Sequence, residues 1–159
     1  MLKSTKVGYI FIAVFIALAG AWVLPENIGN TSTVPAATNV LVTIGQTVLA
    51  VELATTTPAI QKGLSGRTSL GPQSGMLFVF PKPAIYRFWM PDMHFPLDII
   101  WINNGKVVDI SENVSNEFDL AHPRFYVPSQ PAQYVLEVNA GFAASEHIRV
   151  GDAAVFNGI

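Results

Sequence analysis

The sequence predicts an all-β domain, a sandwich or compact barrel of about eight strands with two short helices, preceded by one N-terminal transmembrane helix. Three observations carry this expectation. Apolar residues alternate with period two from Val40 onward, Gly-Gln and Asn-Gly turn signals separate such runs, and residues 7–25 contain no charge.

The charge-free run comes first. Lys3 and Lys6 precede Val7–Pro25, a stretch of 19 residues that ends at Glu26. As a helix it would be about 28 Å long, close to the thickness of a bilayer's hydrocarbon core. Two lysines before it, and none directly after, place the N-terminus inside and the rest outside the cytoplasm. A cleavable signal peptide is the alternative, with Ala17-Leu18-Ala19 or Ala19-Gly20-Ala21 as the small-residue site. Trp22, Val23 and Leu24 continue the apolar run past both sites and favour a retained anchor, residues 1–24. Residues 25–38, rich in Pro, Thr, Asn and Gly, read as a flexible linker to a domain spanning 39–159.

Within that domain Val40, Val42 and Ile44 alternate, Gly45-Gln46 supplies a two-residue turn, and Leu49, Val51 and Leu53 alternate again. This is a hairpin. Thr57-Pro58 reads as an N-cap followed by Pro at the first helical position, and the short helix it opens ends near Gly63. Met76–Phe80 and Ile85–Met90 are strand-length apolar runs separated by Pro81-Lys82-Pro83. Leu97–Ile102 and Lys106–Ile110 flank Asn103-Asn104-Gly105, a second hairpin. A long loop with Pro123, Pro128 and Pro131 leads to a strand at Tyr134–Val138, a short helix within 140–147, and a last strand at Ala153–Phe156.

Composition excludes several classes of function. Half of the 159 residues are hydrophobic and 13% charged, with mean hydropathy +0.39, so the chain is not disordered. The absence of cysteine rules out disulfides, a thiol nucleophile and thiolate–metal sites. Without residues 1–24, seven basic residues face eleven acidic ones and no basic–aromatic stripe is present, so nucleic acid is not an expected partner. Residues 94, 122 and 147 are the histidines, too far apart for a zinc-helix motif, and Gly63-Leu64-Ser65-Gly66 lacks the spacing of a nucleophile elbow. No cofactor and no metal is expected.

Several blocks occur in a fixed order: Gly63-Leu64-Ser65-Gly66-Arg67, Gly75-Met76-Leu77-Phe78-Val79-Phe80, Phe88-Trp89-Met90, Phe95-Pro96-Leu97-Asp98-Ile99-Ile100, the run Tyr134–Gly141, and Val150-Gly151-Asp152. Together they resemble the DUF192 (UPF0127) family from about residue 48 to 156. The resemblance implies a mainly-β domain, often exported or anchored by one N-terminal segment, and implies no reaction. Pro91-Asp92-Met93-His94 departs from the segment usual in that family, so any role of His94 is particular to this chain.

The candidate binding cleft is Arg67, Trp89, Met90, Asp92, His94, Asp98 and Glu137. Residues 89–98 put two carboxylates, an imidazole and large apolar side chains on one Pro-stiffened loop, the kind of segment that carries sites on a β scaffold. The competing reading makes Trp89 and Met90 core and Asp98 a turn cap. Glu137 shares strand parity with Val135 and Asn139, opposite to Leu136, so it faces solvent or a cleft. Its bland role is an ion pair with Arg67. The glycines around Ser65 read as a tight turn rather than an anion cradle. These features predict a ligand-binding or accessory module of the cell envelope, for a small-molecule or carbohydrate ligand. The alternatives are a hydrolase of an envelope polymer using Asp92, Asp98 or Glu137, and a purely structural envelope protein.

Overall fold

The computed structural model describes residues 40–159. The expected anchor and the linker lie outside them, and no helix among the described residues is long and apolar enough to cross a membrane.

Seven strands form one sheet. They are β1 (Val40–Ile44), β2 (Thr47–Ala54), β3 (Ser74–Ala84), β4 (Leu97–Asn103), β5 (Lys106–Val114), β6 (Ala132–Asn139) and β7 (Ala154–Asn157). Two short helices accompany them, α1 (Thr57–Lys62) and α2 (Phe142–Ser145). The strand order is β5-β4-β6-β3-β2-β1-β7, with β2 and β3 parallel and every other pair antiparallel.

Both hairpins form where the turn signals sit. Ile44 pairs with Thr47 across Gly45-Gln46, and Gly45 takes φ +61°. Asn103 pairs with Lys106, and Asn104 and Gly105 both have positive φ, as a primed two-residue turn requires. Helix α1 is capped one residue earlier than expected: the Thr56 hydroxyl accepts from the Ala59 N–H at 3.4 Å.

The expected strand at Ile85–Met90 is not one. Strand β3 instead runs on through Pro81-Lys82-Pro83, past a register shift after Val79 that spares the two prolines a ladder position. Residues 85–96 are loop, tied by an isolated bridge between Phe88 and Tyr126. The two-sheet sandwich is also not formed. The single sheet curls into a half-barrel whose edges meet at one end: Val107 N–H donates to Asp152 O (2.9 Å), Gly151 N–H to Val107 O (2.8 Å) and Ala154 N–H to Gly105 O (2.8 Å).

Curling creates two cores. The inner one takes residues from all seven strands, among them Val42, Leu49, Leu77, Ile100, Val107, Leu136 and Ala154, and is plugged by Phe142 and Ala143 of α2. The outer one lies on the convex face of β3, β4 and β6, where Phe78, Phe80, Ile99, Trp101 and Val135 pack under Leu64, Phe88 and Met90. Strand β4 therefore reads as six buried residues in a row, a pattern that a sheet covered on both faces produces.

Candidate functional site

The outer core does not close completely. A cleft of about 300 Å³ opens between the C-terminal end of α1 and the loop after β3. Phe78 and Phe80, of one parity on β3, form part of its wall with Leu64, Tyr86, Phe88, Trp89, Pro91 and Met93. Glu137 also lines it.

Strand pairing puts Glu137 there. Met76 on β3 and Ile99 on β4 flank it in the sheet, so its side chain emerges on the convex face beside Val135. It is 5% exposed, and no described residue hydrogen-bonds its carboxyl. Burial, the sole cause acting on it, pushes its pKa up from the usual carboxylate range to about 8. At neutral pH it is a protonated acid, able to donate one hydrogen bond into the cleft. Gly63 caps α1 with φ +49°, and a Cβ there would stand 3.3 Å from the Phe78 ring and 3.9 Å from Glu137 Oε2. Glycine keeps that side of the acid clear.

Trp89 is the other expected site residue in the lining. It is 45% exposed and stands against Phe118 edge-on (5.6 Å between centroids) and Phe125 in a stack (5.8 Å). The guanidinium of Arg87 lies 4.0 Å over the Phe125 ring. Trp89 is thus neither core nor isolated.

The remaining candidates are placed elsewhere. Arg67 pairs with Glu52, not with Glu137, through two guanidinium–carboxylate hydrogen bonds, one of them 2.7 Å. Glu52 is the register partner of Met76, one strand along the row that holds Glu137, so it reaches Arg67 first. The pair lowers the pKa of Glu52, chiefly by hydrogen bonding. Met90 is buried in the outer core. Asp92 and His94 are exposed, 3.6 Å apart, and outside the cleft lining. Asp98 is fully buried, on the face opposite to Ile99 and Glu137, where it accepts backbone N–H bonds from Asn113 (2.8 Å), Gly141 (3.1 Å) and Ala143 (2.9 Å). It fastens α2 and the end of β5 to β4.

Asp92, Asp98 and Glu137, the carboxylates offered for a hydrolase, do not converge, and among the described residues Glu137 alone of them enters the cleft. No group of three or more His, Asp or Glu side chains among the described residues gathers as a metal site. The turn after α1 has no free N–H array either. Gly63, Ser65, Gly66 and Arg67 donate to Ala59, Lys62, Asp92 and Leu64 respectively, which pins the turn to the segment before β4.

Apart from Trp89, the cleft's aromatic wall was not among the sequence candidates. Phe78, Phe80 and Phe88 lie in the conspicuous apolar blocks, and their strand parity with Met76 would have put the first two on the face of Glu137.

These features define a class: a curled, single-sheet all-β domain with a carboxyl at the base of an aromatic cleft on its convex face. The DUF192 family model, described as an "uncharacterized ACR", matches residues 40–156, and the chain belongs to that family. A crystal structure of a protein of unknown function from Novosphingobium aromaticivorans DSM 12444 is similar at TM-score 0.66 and 34% identity, over 72% of this chain and 83% of that one. A second, from Sinorhizobium meliloti 1021 and described as a "putative transcription regulator", is similar at TM-score 0.67 and 29% identity, over 76% and 93%. Comparison with curated proteins finds no match.

Proposed function

We propose that this chain is a membrane-anchored, extracytoplasmic module of the cell envelope that binds a small-molecule or carbohydrate ligand in the Glu137 cleft. The observation that carries the reading is a buried acid without a partner, at the base of a cavity walled by aromatic rings. A fold bears the cost of burying such a group where it serves a ligand. The half-exposed Trp89 offers a flat apolar face for stacking, and Glu137 a single directional hydrogen bond, the combination of apolar wall and few polar groups usual in small-ligand sites. Export is supported by the charge-free run and its two preceding lysines. The excess of acidic over basic residues gives no support to a nucleic-acid role like the one the Sinorhizobium protein's description raises.

The test is a thermal-shift screen of the full-length chain against metabolite and oligosaccharide libraries, followed by titration. A true ligand raises Tm and changes tryptophan fluorescence, and both responses disappear in Trp89→Ala and Glu137→Gln. Ligands whose affinity is untouched by both substitutions would place binding elsewhere and overturn the assignment.

A further inference from the structure

The cleft's own charges narrow the ligand further. Three ionisable residues of acid or base character line it: Glu137 at its base, and the exposed Lys62 and Arg87. Neither cation has a carboxylate within ion-pair distance among the described residues, whereas the nearby Arg67 is already held by Glu52. The lining thus combines a buried acid among π faces with two exposed cations that have no carboxylate partner, one of them, Arg87, resting on the Phe125 ring.

We propose that the cleft takes a small zwitterion, its organic ammonium seated on Glu137 among the aromatic rings and its carboxylate or phosphate reaching Lys62 or Arg87. This rests on the reading of the cleft as a ligand site. An ammonium gains twice at the base, from a charge-assisted hydrogen bond to the carboxylate and from the electron-rich faces of the surrounding rings. A ligand that is only an anion reaches Lys62 or Arg87 but brings no positive group to the carboxylate or the rings. A neutral polyol gains a single ordinary hydrogen bond. The volume, about 300 Å³, is at the lower end for ligand sites and limits the occupant to about the size of an amino acid or a short peptide.

Seating a cation requires the Glu137 carboxyl to give up its proton, so affinity for the ammonium rises with pH. Around neutrality the rise approaches tenfold per pH unit, and it levels off near 8, where burial has placed the acid's titration. The charged and titratable groups that line the cleft with it are Lys62 from the end of α1 and Tyr86 and Arg87 from the loop after β3, and the Glu52–Arg67 pair lies two strands along, beyond Met76.

The experiment is calorimetric titration of the full-length chain in a non-ionic detergent with four probes at pH 8: L-phenylalanine, phenethylamine, hydrocinnamate and methyl β-glucoside. L-Phenylalanine is expected to bind best and phenethylamine several-fold more weakly, with the other two at least tenfold weaker than L-phenylalanine. Glu137→Gln, which keeps the shape of the side chain, is expected to lose at least tenfold for both amines. Lys62→Ala combined with Arg87→Ala brings L-phenylalanine down to the level of phenethylamine and leaves phenethylamine unchanged. Unaltered amine binding by Glu137→Gln, or hydrocinnamate binding as well as phenethylamine, would overturn the proposal. Binding of methyl β-glucoside alone, abolished by Trp89→Ala, overturns the zwitterion and leaves the ligand site standing. Silence from all four probes and from the library screen overturns both.

Discussion

The proton on Glu137 links folding to pH with a definite sign. Below about pH 4.5 the folded and unfolded chains both hold it; between there and about 8 only the folded chain does. The folded state then binds more protons, so its stability falls as pH rises, by about 1.4 kcal/mol per unit, until the loss is complete above 8. Thermal melts from pH 5 to 9 are expected to show this fall in the wild type, with the contribution missing from Glu137→Gln, which becomes the more stable of the two at the alkaline end. Parallel curves for the two proteins would show that the acid is not buried uncharged. Asp98 is also buried, but its carboxylate is fully used by three backbone donors. Asp98→Asn turns a donor toward donors and is expected to cost about 2–4 kcal/mol, read as a lower urea midpoint with no effect on ligand affinity. Strand parity alone told that Glu137 and Leu136 face opposite ways. It did not tell that both faces are covered, nor that Glu52 would take Arg67, because lateral neighbours in a sheet belong to strands far apart in sequence.

Elements whose signals are local were the legible ones. Gly45-Gln46 and Asn104-Gly105 set their hairpins through the backbone geometry of the turn residues themselves. The segment 85–90 misled for the complementary reason. Phe88 and Met90 are buried while Ile85, Arg87 and Trp89 are exposed, a true two-residue alternation, yet outside the Phe88–Tyr126 bridge no strand lies alongside to make it a ladder. Alternation reports burial on one side, and pairing needs a neighbour. Gly75 marks a close approach between β3 and β6: a Cβ there would lie 2.8 Å from the Glu137 carbonyl oxygen and 2.9 Å from Leu136 Cδ1. Gly75→Ala is expected to lower stability by about 1–3 kcal/mol by prying these strands apart, with a Tm depression as the readout. An unchanged Tm would mean the strands have slack.

Over the whole molecule, the two cores divide the labour. The inner core and the seam between residues 105–107 and 151–154 hold the curl, while the outer core is left unfinished at the cleft. Removing residues 151–159 breaks the seam and uncovers Val42 and Ile44, so the shortened chain is expected to aggregate where cleft substitutions leave it soluble; size-exclusion profiles of the two sets check this. Protease added to spheroplasts is expected to digest residues 38–159; their full protection would place the domain inside.

The placement of β1 bears on the proposed anchoring. The described chain enters the domain at Val40, in a strand with β2 on one side and β7 on the other. Tension transmitted along the preceding residues is therefore shared by two ladders of backbone bonds at once. Such a strand cannot be peeled away as an outermost one can, so a pull from the proposed anchor would meet the domain at a strand paired on both sides.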